Sequence, residues 1–279
     1  MLKVVQSGFF TTVQDQGRFG LRDKGVPVSG VMDTISVSKV NMLLENPADA
    51  AVLEITMTGP VLEFEEDTFM CIGGAEMSAT LNDRPIQNYK IYKVTSGNVL
   101  SYGNSEKGLR GYLAIKDGFK APIILGSRSF YAPITPSGYL KDGSSLPYGA
   151  CTLFEPKIEE IKGDPLLEET ILEVYKGPEY DKLLDKQLEA IFSKEFTIAK
   201  ENNRMAYQLE EYIEGHKMKM LTSATLPGTV QLTPAGKLII LMKDGQTTGG
   251  YPRIAQLSDR SISILAQKKF GDLISIKLI

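Results

Sequence analysis

Apolar positions along the 279-residue chain fall in short runs broken by Gly, Pro, Asn and Asp: "PVLEF", "DTFMCI", "NYKIYKV", "GNVLSYG", "RGYLAI", "CTLFEP", "ILEVYKG", "EFTIAK", "GTVQL", "KLIILM" and "DLISIKLI". Runs of this length bounded by turn formers predict strands. They are too many for one flat sheet, so the pattern predicts a mainly β protein built as a barrel or a pair of barrels. Three stretches instead carry helical spacing. "DTISVSKVNMLLENP" has Asp33 as a candidate N-cap, Val37, Val40 and Leu44 on one face, and Pro47 as a stop. "PEYDKLLDKQLEAIFSK" repeats Tyr180, Leu184, Leu188 and Ile191 behind a proline, and the short "DRSISILAQKK" turns Ile262, Leu265 and Ala266 inward. The apolar faces of all three read as core.

The charged, proline-containing stretch "EPKIEEIKGDPLLEET" (155–170) interrupts this pattern. A domain boundary placed there gives an N-terminal half, 1–160, and a C-terminal half, 161–279, with segment 1–35 positioned to pack across both. The halves share a faint echo. "GRFGLR" followed by "GVPVSG" in the first is matched by "NRMAYQLE" followed by "TLPGTVQL" in the second.

Composition narrows the chemistry. At 42% hydrophobic and 23% charged, the chain is ordinary for a globular protein, and 26 Gly with 14 Pro indicate many turns. A net charge of -3 provides no general positive field for a phosphate backbone, which argues against nucleic acid as a partner. Two cysteines, Cys71 and Cys151, and one histidine, His216, exclude a disulfide framework and a Cys/His zinc site. A reducing cytoplasm fits. The opening residues do not read as a signal peptide, and "KLIILM", the longest apolar run, is far too short for a membrane span.

Familiar catalytic motifs fail as well. "PAGKLII" has Gln231 five residues before Gly236 and Leu238 after Lys237, so it is not a phosphate loop. His216 has no nucleophile motif beside it and reads as a solvated surface residue. "KMKM" imitates a biotinylation site at Lys219 but lacks a small carrier domain around it.

What survives is a set of polar, glycine-bearing turns: "TTVQDQGRFGLRDKGVPVSGVMD" (11–33), "LGSRSFYAP" (125–133), "NNRMAYQL" (202–209) and "KDGQTTGGYPRIAQ" (243–256). The first carries Gln14, Asp15, Arg18, Arg22, Ser29 and Asp33. The last sets Gln246, Thr247, Thr248, Tyr251 and Arg253 around adjacent glycines, where a ligand could approach the backbone. Arginine recurs in these turns as Arg18, Arg22, Arg128, Arg204 and Arg253, which predicts one polar, anion-competent cleft. In that picture residues 11–33 form one wall, with Arg18 and Arg22 facing "GQTTGGYPR". The competing reading of Asp15 and Arg18 is that they tie a long loop together through side-chain to backbone bonds.

Together with "NPADAAVLEITMTGPVLEF", "GLRGYLAIKDGF", "NRMAYQLE", "LPGTVQLTPAGKLIILMKDGQTTGGYPRIAQ" and "LAQKKFGDLISI", these motifs resemble the biotin-dependent carboxyltransferase, allophanate hydrolase subunit 2-like family. Its members include the C-subunit of 5-oxoprolinase and Kip-antagonist proteins. The resemblance runs from about residue 4 to the end of the chain. It implies two cyclophilin-like β-barrel domains with a few short helices, and work in a 5-oxoprolinase complex with an A-subunit together with a Kip-inhibitor-like B-subunit. The implied reaction is opening of 5-oxo-L-proline to L-glutamate, with ATP and Mg²⁺ as co-substrate of the complex and no biotin attached to this chain. Asp15, Arg22, Asp33 and Arg253 then become candidate catalytic residues, with Asp15 or Asp33 accepting a proton or holding the metal. Gln14, Arg18, Ser29, Arg128, Arg204, Gln246, Thr248 and Tyr251 become candidate substrate contacts. Two departures stand out: Ser223, Ala224 and Thr225 replace a Ser-Glu-Gly or Ser-Asp-Gly, and Asp23 stands where His is common. Two other activities remain open, a carboxyltransferase subunit of a biotin-dependent urea or amide carboxylase, and a regulator that sequesters a Kip-inhibitor-like subunit.

Overall fold

A computed structural model describes residues 1–162 and 165–279, so Gly163 and Asp164 of the expected boundary stretch lie outside the described residues. The chain divides into two compact units, one of residues 1–18 and 29–167, the other of 19–28 and 168–279. Segment 19–28 therefore belongs with the C-terminal half, although the chain on either side of it belongs with the first.

The first unit is two facing sheets. Strands Leu2–Gln6, Val61–Phe64 and Val99–Ser101 form the centre of a six-stranded sheet, and Phe10–Gln14, Val52–Thr56, Lys107–Ile115, Thr68–Glu76 and Ile91–Val94 lie in that order in a five-stranded one. Leu2, Leu62 and Phe64 from one sheet and Leu53, Ile72 and Leu113 from the other meet in a shared core. Full burial of each such side chain contributes about 1.5–3 kcal/mol.

Helix α1 (Thr34–Leu43) covers the far face of the five-stranded sheet, where Val37, Val40 and Leu43 pack with Cys71, Tyr112 and Ala114. Strands Thr68–Glu76 and Lys107–Ile115 are thus buried on both faces, which explains their nearly unbroken apolar character. Helix α1 begins as the sequence predicts, with Asp33 accepting from Ser36 N at 2.9 Å and Ser36 Oγ at 2.6 Å.

The second unit is a closed seven-stranded barrel in the order Ile171–Lys176, Arg253–Leu257, Thr229–Leu232, Lys237–Leu241, Ala206–Tyr212, Glu195–Asn202 and Leu273–Leu278. Ile171–Lys176 closes it by parallel pairing with Leu273–Leu278, aligning Leu172 with Ile276. Val174, Phe196, Tyr207, Val230, Ile240 and Ile274 are among its buried side chains. Helix α2 (Asp185–Ser193) is shorter than its sequence pattern suggests. A 3₁₀ turn at Tyr180–Lys182 and an extended Leu184 precede it, and Leu184 N donates to Gln187 Oε1 at 2.9 Å. Helix α3 (Asp259–Ala266) is capped by Ser258 and buries Ile262, Leu265 and Ala266.

Other expectations change. "CTLFEP" forms no strand, and Leu153 within it is 89% exposed. The front of residues 11–33 is not open loop: Thr11, Thr12, Val13 and Gln14 form a buried strand, for which β-branched side chains are well suited. His216 is not merely solvated. Its Nδ1 accepts from Met218 N–H at 3.0 Å, which places the ring proton on Nε2, 3.0 Å from Leu232 O. Among the described residues no helix is long and apolar enough to cross a membrane.

Candidate functional site

The arginine-bearing turns separate between the units, with Arg18 and Arg128 in the first and Arg22, Arg204 and Arg253 in the second. In the first unit they belong to a dense knot around Asp15. Its Oδ1 accepts from Gly17 N at 2.8 Å, Ser127 Oγ at 2.5 Å and Ser129 Oγ at 2.7 Å, and its Oδ2 accepts from Arg128 N at 2.6 Å. Arg18 is 1% exposed and donates to Ile124 O at 3.2 Å and Ser129 O at 2.6 Å. Arg128 donates through Nη1 to Ala121 O. Gly30, at φ 80°, lies so close to Gln16 O that a Cβ would come within 2.6 Å of it. The carboxylate thus binds loop to loop.

Gln14 donates to Thr12 Oγ1 and Phe130 O, at 3.0 and 3.2 Å. Gln14 Oε1 and Ser29 Oγ are buried without a hydrogen-bond partner among the described residues. Asp33 serves as the helix cap described above.

A second buried network in the first unit escaped sequence reasoning. Glu54 accepts from Met32 N at 2.8 Å and Tyr112 OH at 3.1 Å and lies 3.8 Å from Arg110 Nε, with Glu54 and Arg110 at most 2% exposed. Burial and the Glu54 charge hold the Tyr112 phenol well above its usual value. Their positions inside apolar strands were the available signal, since a buried charge in a strand requires a partner. Burial likewise pushes the Cys71 thiol up to about 12, which keeps it protonated and unreactive.

In the second unit two of the three arginines already have carboxylate partners. Arg204 forms a fork with Asp244 at 2.8 and 3.0 Å. Arg253 forms another with Glu179 at 3.0 and 2.9 Å, lowering the Glu179 pKa while its own rises, and its Nη1 donates to Ala224 O at 2.7 Å. The use of a backbone oxygen at Ala224 means that this contact survives the departure from the family pattern there.

Arg22 is different. In the short 3₁₀ turn Arg22–Lys24 it donates through Nη2 to Thr225 O and to Gln246 O, the latter at 3.3 Å. Its Nη1 is buried without a hydrogen-bond partner, and no carboxylate pairs with it among the described residues. Partial burial lowers its pKa from the usual arginine value, leaving a desolvated cation without a counter-charge.

The oxygens that Arg22 grips, on Thr225 and Gln246, flank a small ribbon, Ser223–Ala224 paired with Thr248–Gly249. Thr225 reinforces it, donating from N to Thr247 O at 3.0 Å and from Oγ1 to Gln246 O at 2.5 Å. Thr248 is exposed, and Tyr251, further along the same turn, is 40% exposed. Beneath the ribbon lies Gln231, a residue the sequence reading passed over inside "GTVQL". It is 1% exposed, and its Nε2 has no partner among the described residues. A polar side chain in a strand buried at every position was the clue.

The description "Carboxyltransferase domain, subdomain A and B" matches residues 24–278. The chain belongs to this family. It is 34% identical to the 5-oxoprolinase C-subunit of Escherichia coli (strain K12), with 97% of this chain and 89% of that protein aligned. It is 31% identical to the 5-oxoprolinase C-subunit of Haemophilus influenzae, over 100% of this chain and 91% of the relative. Among solved structures, Kluyveromyces lactis urea carboxylase superposes with a TM-score of 0.88 at 27% identity, covering 99% of this chain but 27% of that one. Within this carboxyltransferase family member, the Arg22 ribbon combines an unpaired cation, exposed polar side chains and a buried unpartnered donor. Those features suit a small anionic ligand.

Proposed function

We propose that the chain is the C-subunit of an ATP-dependent 5-oxoprolinase and acts with the A- and B-subunits to convert 5-oxo-L-proline to L-glutamate. The observation that carries this reading is near end-to-end alignment with the 5-oxoprolinase C-subunit of E. coli, 97% of one chain on 89% of the other. The urea carboxylase instead carries the same fold as 27% of a longer chain.

The substrate has a ring amide and one carboxylate. Arg22, lacking a carboxylate partner, receives that carboxylate, with Thr248 and Tyr251 at its edge. Arg253 and Glu179 support the ribbon from behind. The unactivated lactam requires an electrophile stronger than an amide. Transfer of the γ-phosphoryl group of ATP to the lactam oxygen would supply it and release ADP; addition of one water and cleavage of the C–N bond would open the ring to an acyl phosphate, and a second water would displace phosphate to leave glutamate. Among the described residues no group of three or more His, Cys, Asp or Glu side chains is placed to hold a metal ion. Asp15 and Asp33 already accept N–H and O–H donors, so no step is assigned to Mg²⁺ on this chain.

The test is phosphate release by the assembled subunits with and without 5-oxoproline, omitting each subunit in turn. Substrate-dependent release and glutamate formation that disappear without this chain support the assignment. ATP left untouched while this chain binds the B-subunit tightly would replace it with a regulatory role. Arg22→Ala should raise KM about 10–100-fold with the fold intact.

A further inference from the structure

Segment 19–28 belongs with the second unit, and among the described residues the hydrogen bonds it gives to the rest of that unit both leave Arg22 Nη2. Thr225 takes part in both. One bond is accepted by Thr225 O, and the other, at 3.3 Å, by Gln246 O, the oxygen that also accepts from Thr225 Oγ1 at 2.5 Å. Thr225 N donates in turn to Thr247 O at 3.0 Å, so this one residue is bound to two successive carbonyls of the facing loop. The carbonyl before it is held as well: Ala224 O accepts from Arg253 Nη1 at 2.7 Å, and Arg253 is locked in its fork with Glu179. Thr225 is 2% exposed, and branching at its Cβ restricts χ1, which fixes the direction of the hydroxyl.

We infer that Thr225 is the positioning residue for Arg22: its hydroxyl ties Gln246 O to Thr225 O, and the two oxygens together set where the guanidinium lies. A long side chain on a three-residue 3₁₀ turn has many rotamers to lose, and ordering them costs free energy each time a ligand is met. Two oxygens at a fixed spacing, both on Nη2, hold the far end of that side chain before the ligand arrives. Thr225 touches no reacting atom and acts through Arg22, so its contribution falls on substrate affinity and not on the chemical step. The inference rests on the proposed reaction for the identity of the anion that Arg22 meets; the seat itself follows from the hydrogen bonds.

The experiment compares Thr225→Val, which keeps the branched shape and removes the hydroxyl, with Thr225→Ser, which keeps the hydroxyl and removes the methyl. With the assembled subunits, Thr225→Val should raise the KM for 5-oxoproline about fivefold and leave kcat within about twofold of the parent, the effect of one neutral hydrogen bond. Thr225→Ser should recover most of that loss. In the ¹⁵N-labelled full chain, the Arg22 Nε–H signal, identified by its disappearance in Arg22→Lys, should move in the Val variant and return in the Ser variant. A residue that only held the fold together would lower the urea midpoint without separating KM from kcat or following the hydroxyl. An unmoved Arg22 signal in Thr225→Val, a KM equal to the parent's, or a Ser variant as impaired as the Val variant would overturn the assignment. The two readings fail separately: a parent assembly that does not turn over 5-oxoproline removes the enzyme, and the Arg22 signal alone then decides the seat.

Discussion

The Asp15 knot of the first unit and the Arg22 ribbon of the second come from neighbouring positions in one polar stretch, yet they are opposites in hydrogen bonding. Asp15 accepts four donors from two segments of chain, one at Gly17 and one at residues 127–129. The ribbon holds a buried guanidinium nitrogen and a buried amide nitrogen with no partner among the described residues. Polar density alone does not distinguish a fastening from a site. What distinguishes them is whether the buried donors have already been answered within the chain.

The difference can be tested by substitution, beginning where the effect should be largest. Asp15→Ala strands several buried donors at once and should cost about 4 kcal/mol, read as a lower midpoint in urea. A loss below about 1 kcal/mol would mean that the knot is not a fastening. Arg253→Ala leaves Glu179 without its cation and should cost about 2–3 kcal/mol, so lost turnover in that variant would reflect folding as well as chemistry. Arg253→Lys, which keeps the charge but not the fork, should cost less.

The same pair makes an acid-side prediction. Arg253 holds the Glu179 pKa below its ordinary 4.5, so the folded state binds this proton less readily than the unfolded chain. Stability from the group is complete above about 4.5 and declines as pH falls through the lower folded value. Denaturation from pH 5 to pH 3 should show this slope in the parent and a flatter one in Glu179→Gln. Gln231→Leu should act in the other direction, raising stability by about 1 kcal/mol by removing an unanswered donor. Lys219→Ala, at an exposed position outside regular structure, should change neither stability nor turnover.

Much of the fold was legible in the sequence because strand alternation and turn residues are local. "KLIILM" and "DLISIKLI" could hardly be anything but strands, and the Asp33 cap stands beside the helix it starts. "CTLFEP" misled because its apolar residues carry no information about whether a sheet is near enough to receive them. In the site, residue type was visible and residue partnership was not. Arg204 and Arg253 look as available as Arg22 until Asp244 and Glu179, 40 and 74 residues away in sequence, are seen beside them. Gln231 was overlooked for the converse reason: one amide in an apolar strand looks incidental until its donor is found without a partner.

The parallel closure of the barrel also bears on assembly. A hydrogen-bonded ring of seven strands presents no unpaired rim, so another chain cannot extend it by laying a strand alongside. In the first unit the outer side of Phe10–Gln14 is already taken up, since Leu140 N and Phe130 N donate to Thr11 O and Val13 O, both at 2.8 Å. Templated growth of the kind that turns β proteins into fibres is blocked at both places. A partner that met the C-terminal barrel would have to recognise it by loops and side chains, which are the parts of a β protein freest to differ between relatives that share one architecture.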